Sequence, residues 1–210
     1  MGFITDNILA LILLTPILVA AVLLFLPKEN QRLLKWVALI GSLIPFALSL
    51  YLWFSFHSTI PGFQFETKRI WYGVVGSSFH LGVDGLSLTM VLLTTLLTPI
   101  AILASFSVTE RLKPYLILFM LLETGMLGVF LSLDLLLFFV FWEVMLIPMY
   151  FLVGVWGGER RIYAAWKLIL YTMTGSLLML VAILYLVTLH NQQSGQLTFD
   201  LLRLYDFSAH

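Results

Sequence analysis

Six stretches of this chain are almost continuously apolar over the length a helix needs to cross a bilayer, and short polar segments separate them. An α-helix rises about 1.5 Å per residue and the hydrocarbon core is about 30 Å thick, so one crossing takes roughly 20 residues. The pattern predicts spans at 7–26, 34–56, 86–107, 114–133, 135–155 and 162–189. All six are read as helices, because backbone groups in lipid must find their hydrogen bonds within the segment, and the alternation of a membrane β-barrel is missing. The fold class is therefore all-α, a polytopic transmembrane helix bundle. A transmembrane domain covers 1–189, and a polar or amphipathic tail covers 190–210. The one long connection, 57–85, contains glycine and aromatic residues and is too polar to span. The first span lacks a basic leader and a small-residue cleavage site, so it reads as retained rather than as a signal peptide.

Composition supports a membrane as the solvent, with 61% hydrophobic and only 10% charged residues. Lys plus Arg and Asp plus Glu number 11 each, so no net field favours nucleic acid. Cysteine is absent, which removes disulfides, thiolate nucleophiles and iron–sulfur ligation by this chain. Placement of charge carries more information than its sum. The first, third and fifth connections hold Lys28, Arg32, Lys35, Arg111, Lys113, Arg160 and Arg161, whereas the other side holds only Lys68, Arg69 and Arg203. Basic residues in short loops stay in the cytoplasm, so the N-terminus is expected on the non-cytoplasmic side, together with the far end at His210.

An acidic residue near the centre of a span costs about 2.5–3.5 kcal/mol on insertion scales, so each one calls for a reason. Glu143 lies nine residues past Asp134, roughly 13 Å along the axis, and Glu123 lies eleven before it, roughly 16 Å. In antiparallel helices joined by a tight turn the two carboxylates reach similar depth and are read as sharing one proton-accepting region. The alternative for each is a neutral acid bonded to a neighbouring helix. Pro148 frees the carbonyl of Val144 and is expected to kink the helix beside Glu143, or merely to shape packing, as Pro16, Pro45 and Pro99 do elsewhere. Lys167 lies one and a half turns into the last span, closer to the cytoplasmic face than Glu143 by roughly 10 Å, which leaves water-linked coupling or simple snorkelling. Thr172, Gly175 and Ser176 suit close helix packing. Asp84 and Asp134 read first as helix N-caps. His80 reads as a surface-loop residue or as a proton exit, and His57, His190 and His210 fall outside the spans, so no facing pair is available for a membrane haem. No nucleotide-binding fingerprint or metal-ligand spacing occurs.

The segments DLLLFFVFWEVMLIPMYFLVGVWGG and AAWKLILYTMTGSLLMLVAI, with LGVDGLSLTMVLLTTLLTPIAILAS and LLETGMLGVFLSLD upstream, resemble the chain M (subunit 4) family of respiratory complex I. The resemblance covers essentially the whole chain. It implies an antiporter-like subunit of NADH:quinone oxidoreductase that conducts protons, while NADH, FMN, iron–sulfur clusters and quinone act in partner subunits. It also implies other membrane subunits as partners and a bacterial inner membrane as the setting. Glu143 matches the family's essential buried glutamate, Glu123 a carboxylate found in many relatives, Lys167 a basic position early in the sixth helix, and Asp84 the DGLS segment. Family members have about fourteen helices and carry a partner lysine in a later one, so this chain is expected to be the N-terminal part only. Related alternatives are a subunit of a cation/proton antiporter or membrane-bound hydrogenase, or a non-pumping structural fragment.

Overall fold

The structure, a computed structural model, describes residues 7–57, 59–60 and 62–208. The reading of His210 lies outside them. Six helices are long and apolar enough to cross a membrane. They are α1 (Ile8–Phe25), α2 (Gln31–Ser55), α3 (Gly85–Ala104, prolonged by a 3-10 turn at Ser105–Ser107), α4 (Leu112–Leu131), α5 (Leu135–Trp156) and α6 (Arg161–Ser194). The expected all-α membrane bundle is therefore observed, and the chain is an integral membrane protein. Helix α4 is central, packed against α1, α2, α3 and α5, while α6 packs on α5 at the edge of the row.

Glycine sets a close approach of α4 and α5. A Cβ added at Gly125 would lie 2.8 Å from the Cβ and 3.0 Å from the Cα of Met145, and one at Gly128 would lie 2.2 Å from the ring of Phe141. These two contacts fix the register of α4 against α5. The expectation of tight packing through Gly175 fails, because Gly175 is exposed with nothing within 4 Å of its Cβ position, although Ser176 beside it is buried. One residue is a 100° turn of the helix, and that turn carries Gly175 off the contact stripe.

The core of the first four helices is layered. One apolar cluster near the α4–α5 turn gathers Leu9, Ile12, Leu52, Val91 and Leu127, and another near the opposite face gathers Leu23, Ala38, Ile102, Leu116 and Met120. Between them lies a polar belt of buried Ser49, Thr94, Thr95, Thr98, Glu123 and Thr124.

The long connection at 57–85, expected only to be too polar to span, holds a β-hairpin, with β1 (Gln64–Tyr72) antiparallel to β2 (Ser77–Val83). The alternation in this segment is weak, because β1 is largely exposed and β2 largely buried, so the sequence shows no clear strand period. Gly76 makes the turn at φ 70°, and a Cβ there would lie 2.0 Å from the Leu197 carbonyl. Helix α6 runs past the expected end to Ser194, so His190 lies inside it, buried, rather than outside the spans. The tail forms α7 (Leu201–Ser208), whose Leu204 packs with Phe199, Ile183 and Val187.

Hairpin and tail are joined by charge. Lys68 of β1 pairs with Asp200, whose Oδ1 also accepts from the N–H of Leu202 at 3.0 Å to start α7. His80 of β2 is 3% exposed, not a surface residue, with Nε2 3.1 Å from Glu66 and Nδ1 at an ion-pair distance of 3.4 Å from Asp200. Burial alone would lower the His80 pKa, but the contacts with Asp200 and Glu66 outweigh it and raise the value above the ordinary 6.5. Burial likewise pushes Asp200 up, yet His80 and Lys68 hold it well below the usual carboxylate range.

Two tests follow from this packing. Gly125→Leu should drive α4 from α5 and cost on the order of 1–3 kcal/mol, read as earlier thermal unfolding of the solubilised protein, while Gly158→Ala, with nothing within 4 Å, should change nothing. Equal stability of the two variants would refute the close contact. For the hairpin, the raised His80 contributes stability that is complete below its unfolded value of about 6.5 and is lost as pH rises through the folded value. Asp200 contributes above about 3.8 and is lost as pH falls through its lowered folded value. Amide protection of α7, corrected for intrinsic exchange, should therefore be highest between these limits and fall above neutrality, and His80→Gln should flatten the alkaline limb. An alkaline limb unaltered by that substitution would exclude His80 as its source.

Candidate functional site

Asp134 closes the three-residue turn between α4 and α5 and is 1% exposed. Its Oδ1 accepts from the N–H groups of Leu136 (3.0 Å) and Leu137 (3.1 Å), as expected of an N-cap. It also accepts from the Ser77 hydroxyl at 3.0 Å, and Oδ2 accepts from the Ser78 N–H at 2.8 Å, contacts the sequence did not reveal. Asp84 caps α3 as expected, in a reciprocal box with Ser87 at 2.8 and 2.9 Å.

Nine residues into α5, Glu143 is half-buried, and its Oε1 is fully buried with no hydrogen-bond partner among the described residues. It lies between Phe141 and Met145, which face α4 at Gly128 and Gly125. Two residues turn a helix by 200°, so Glu143 is directed away from α4 and toward α6. There Gly154 meets Ala165, and Tyr150 meets Trp166 with ring centroids 6.2 Å apart. Ser176 lies as many residues beyond Ala165 as Glu143 lies before Gly154, so in these antiparallel helices it reaches the level of Glu143 on the same contact stripe. The sequence reading treated Ser176 only as a packing residue. Helix α5 is continuous through Pro148, which is buried and, lacking an N–H, leaves the Val144 carbonyl beside Glu143 without its helical donor.

Glu123 is 0% exposed, with neither oxygen in a well-formed hydrogen bond among the described residues. The α4–α5 register places it about one turn, roughly 6 Å, from Glu143 in depth. The two carboxylates do not share one region, however. Glu123 is 200° around α4 from Gly125 and approaches Thr98 of α3, so the backbones of α4 and α5 stand between it and Glu143. Depth followed from chain length, whereas facing required the register, which only the glycine contacts reveal.

Lys167 is exposed, two residues past Ala165 and therefore on the face of α6 away from α5. It lies over the rings of Tyr163 and Tyr171, 5.9 and 5.8 Å from their centroids, and among the described residues forms no ion pair with Glu143. Among the described residues no cluster of His, Asp and Glu has the arrangement of a metal site.

Comparison with known proteins agrees with this architecture. Residues 132–209, which include Glu143, match the family described as "NADH:quinone oxidoreductase/Mrp antiporter, TM". The chain is 45% identical over 181 residues to NADH-quinone oxidoreductase subunit M of Rhodobacter capsulatus, covering 84% of this chain and 35% of that one. It is 43% identical over 199 residues to NADH-ubiquinone oxidoreductase chain 4 of Arabidopsis thaliana, covering 94% and 39%. Among solved structures it matches a chain of respiratory complex I from Thermus thermophilus with bound NADH, at a TM-score of 0.77 and 32% identity, over 93% of this chain and 38% of that one. The chain thus spans somewhat over a third of the length of the relatives it matches. By sequence and by fold it belongs to the antiporter-like family of membrane subunits that includes subunit M and chain 4 of NADH:quinone oxidoreductase.

Proposed function

We propose that the chain forms part of a proton-translocating membrane subunit of respiratory NADH:quinone oxidoreductase, with Glu143 as its proton-binding carboxylate. The observation that carries this reading is Glu143 itself, a membrane-embedded acid with a buried, unpartnered oxygen within the family-matched segment. A group so placed changes protonation at little structural cost, because no ion pair has to break when the proton arrives or leaves. Ser176 lies across from it, and the freed Val144 carbonyl supplies an acceptor for water beside it. Pro148 thus serves the site through the backbone. Lys167 acts in this reading as a second charged group, coupled to Glu143 through water rather than by direct contact, since it faces away from α5.

Electron transfer belongs to partner subunits carrying NADH, FMN, iron–sulfur clusters and quinone, and this chain, without cysteine, offers no thiolate to a cluster. Its partners are the other membrane subunits and the lipid of a bacterial inner membrane. The seven-to-three distribution of basic residues favours the hairpin and N-terminus on the non-cytoplasmic side. The family description also names Mrp antiporters, and exchange of a cation for a proton at the same glutamate is the second reading.

The test is Glu143→Gln in the complete, assembled complex. Proton translocation coupled to NADH oxidation should fall by roughly 10²-fold, the scale on which loss of an essential proton-transfer group acts. Unchanged translocation by a correctly assembled variant would refute the role given to Glu143. NADH oxidation that proceeds normally without any sodium dependence would separate the first reading from the second.

A further inference from the structure

The polar belt between the two apolar layers is not used by the site around Glu143. We propose that Glu123 is a separate proton-exchange site, a neutral carboxylic acid that trades its proton with water along the buried hydroxyls of Thr98, Thr95 and Ser49 toward the hairpin face.

The argument begins with what Glu123 touches. It is completely buried, and neither carboxyl oxygen has a well-formed partner among the described residues. An ionised carboxylate in that condition bears the full cost of desolvation with no compensating donor, so the neutral acid is the form the site favours. The Thr98 hydroxyl beside it gives its own hydrogen to the Thr94 carbonyl at 3.0 Å, which leaves the Thr98 oxygen as an acceptor. An acceptor suits a protonated carboxyl and not a carboxylate. Pro99 reinforces the same preference, because it has no N–H and so leaves the Thr95 carbonyl, in the same turn of α3, without its helical donor.

The hydroxyls also have a direction. Ser49 and Thr95 are both buried and lie 2.7 Å apart across α2 and α3. Each is nearer the hairpin end of its helix than Thr98 is. A hydroxyl passes a proton on by accepting one and releasing another as it rotates, so the series moves one proton per event and leaves each residue unchanged. Glu123 loses a proton to this series and regains one from water by the same route. The apolar cluster of Leu23, Ala38, Ile102, Leu116 and Met120 closes the belt toward the opposite face, and the backbones of α4 and α5 separate it from Glu143. The site therefore stands whether or not Glu143 carries the role proposed above.

Infrared difference spectroscopy on the complete complex at neutral pH tests this. A carbonyl band of a protonated acid should be present in the wild type, absent in Glu123→Gln, retained in Glu143→Gln, and shifted within minutes of transfer to D2O. Thr98→Val should move the band, which identifies it even if the Gln variant fails to assemble. Ser49→Ala should slow the deuterium shift by about tenfold, the effect of one modest barrier along the route. A wild-type spectrum with no band that responds to either Glu123→Gln or Thr98→Val would overturn the proposal. So would an exchange rate that Ser49→Ala leaves unchanged, since the hydroxyls would then carry nothing.

Discussion

The arrangement depends on Asp134, because one buried carboxylate determines where α5 starts and what rests on its end. In lipid, the first N–H groups of a helix have no water to turn to, and the turn from α4 to α5 is too short to supply a loop that could satisfy them. Asp134 accepts two of those N–H groups and at the same time holds Ser77 and Ser78 of the hairpin. Backbone bonds extend the junction, from Leu133 N–H to His80, from Leu135 N–H to Phe199 and from Leu201 N–H to Leu133. Hairpin, turn and tail are thereby closed into one cap, and the depth of Glu143 is measured from that cap by nine residues of rigid helix. Removing the carboxylate would leave both the helix end and the strand unsatisfied, so its effect would reach well beyond an ordinary N-cap.

The opposite face solves the same problem with cations. Lys113 donates to the carbonyls of Leu24 and Leu26 at 2.8 and 2.9 Å, Lys35 to that of Phe106 at 2.6 Å, and Arg161 to that of Val155 at 2.8 Å. Each of these carbonyls lies at a helix C-terminus, where the macrodipole favours positive charge. The basic residues whose distribution carries the proposed orientation thus also finish the helices that end on their side. Topology and local stability draw on the same residues, with anionic and hydroxyl caps at one face and cationic caps at the other.

Much of this was legible in the sequence, and what was not has physical causes. Span number and approximate depth follow from length and hydropathy, and the caps at Asp84 and Asp134 follow from residue type and position. The hairpin escaped because its two strands differ in burial and share no alternation. His80 escaped for a related reason, since its burial depends on Asp200, which is distant in sequence and arrives only when the tail folds back. Facing was the deeper gap. Glu123 and Glu143 look like a pair because chain length controls depth, but two residues of helix reverse a direction, and the register is set by Gly125 and Gly128, whose role lies in having no side chain.

That reversal changes the chemistry open to the bundle. Two carboxylates facing each other in one cavity would titrate as a coupled pair, with the second proton held by repulsion from the first charge. Two carboxylates on opposite sides of an α4–α5 wall have no such direct coupling and keep separate neighbours, Ser176 and the Val144 carbonyl for one, Thr98 and the Thr95 carbonyl for the other. Each acid has a proline close by in a helix of its own surroundings, Pro148 for Glu143 and Pro99 for Glu123, and each proline frees a carbonyl that a rigid apolar helix would otherwise keep occupied. A membrane interior offers few ways to make a polar position without a charge. Here the backbone provides it twice, and the small residues at the α4–α5 contact keep the two places apart.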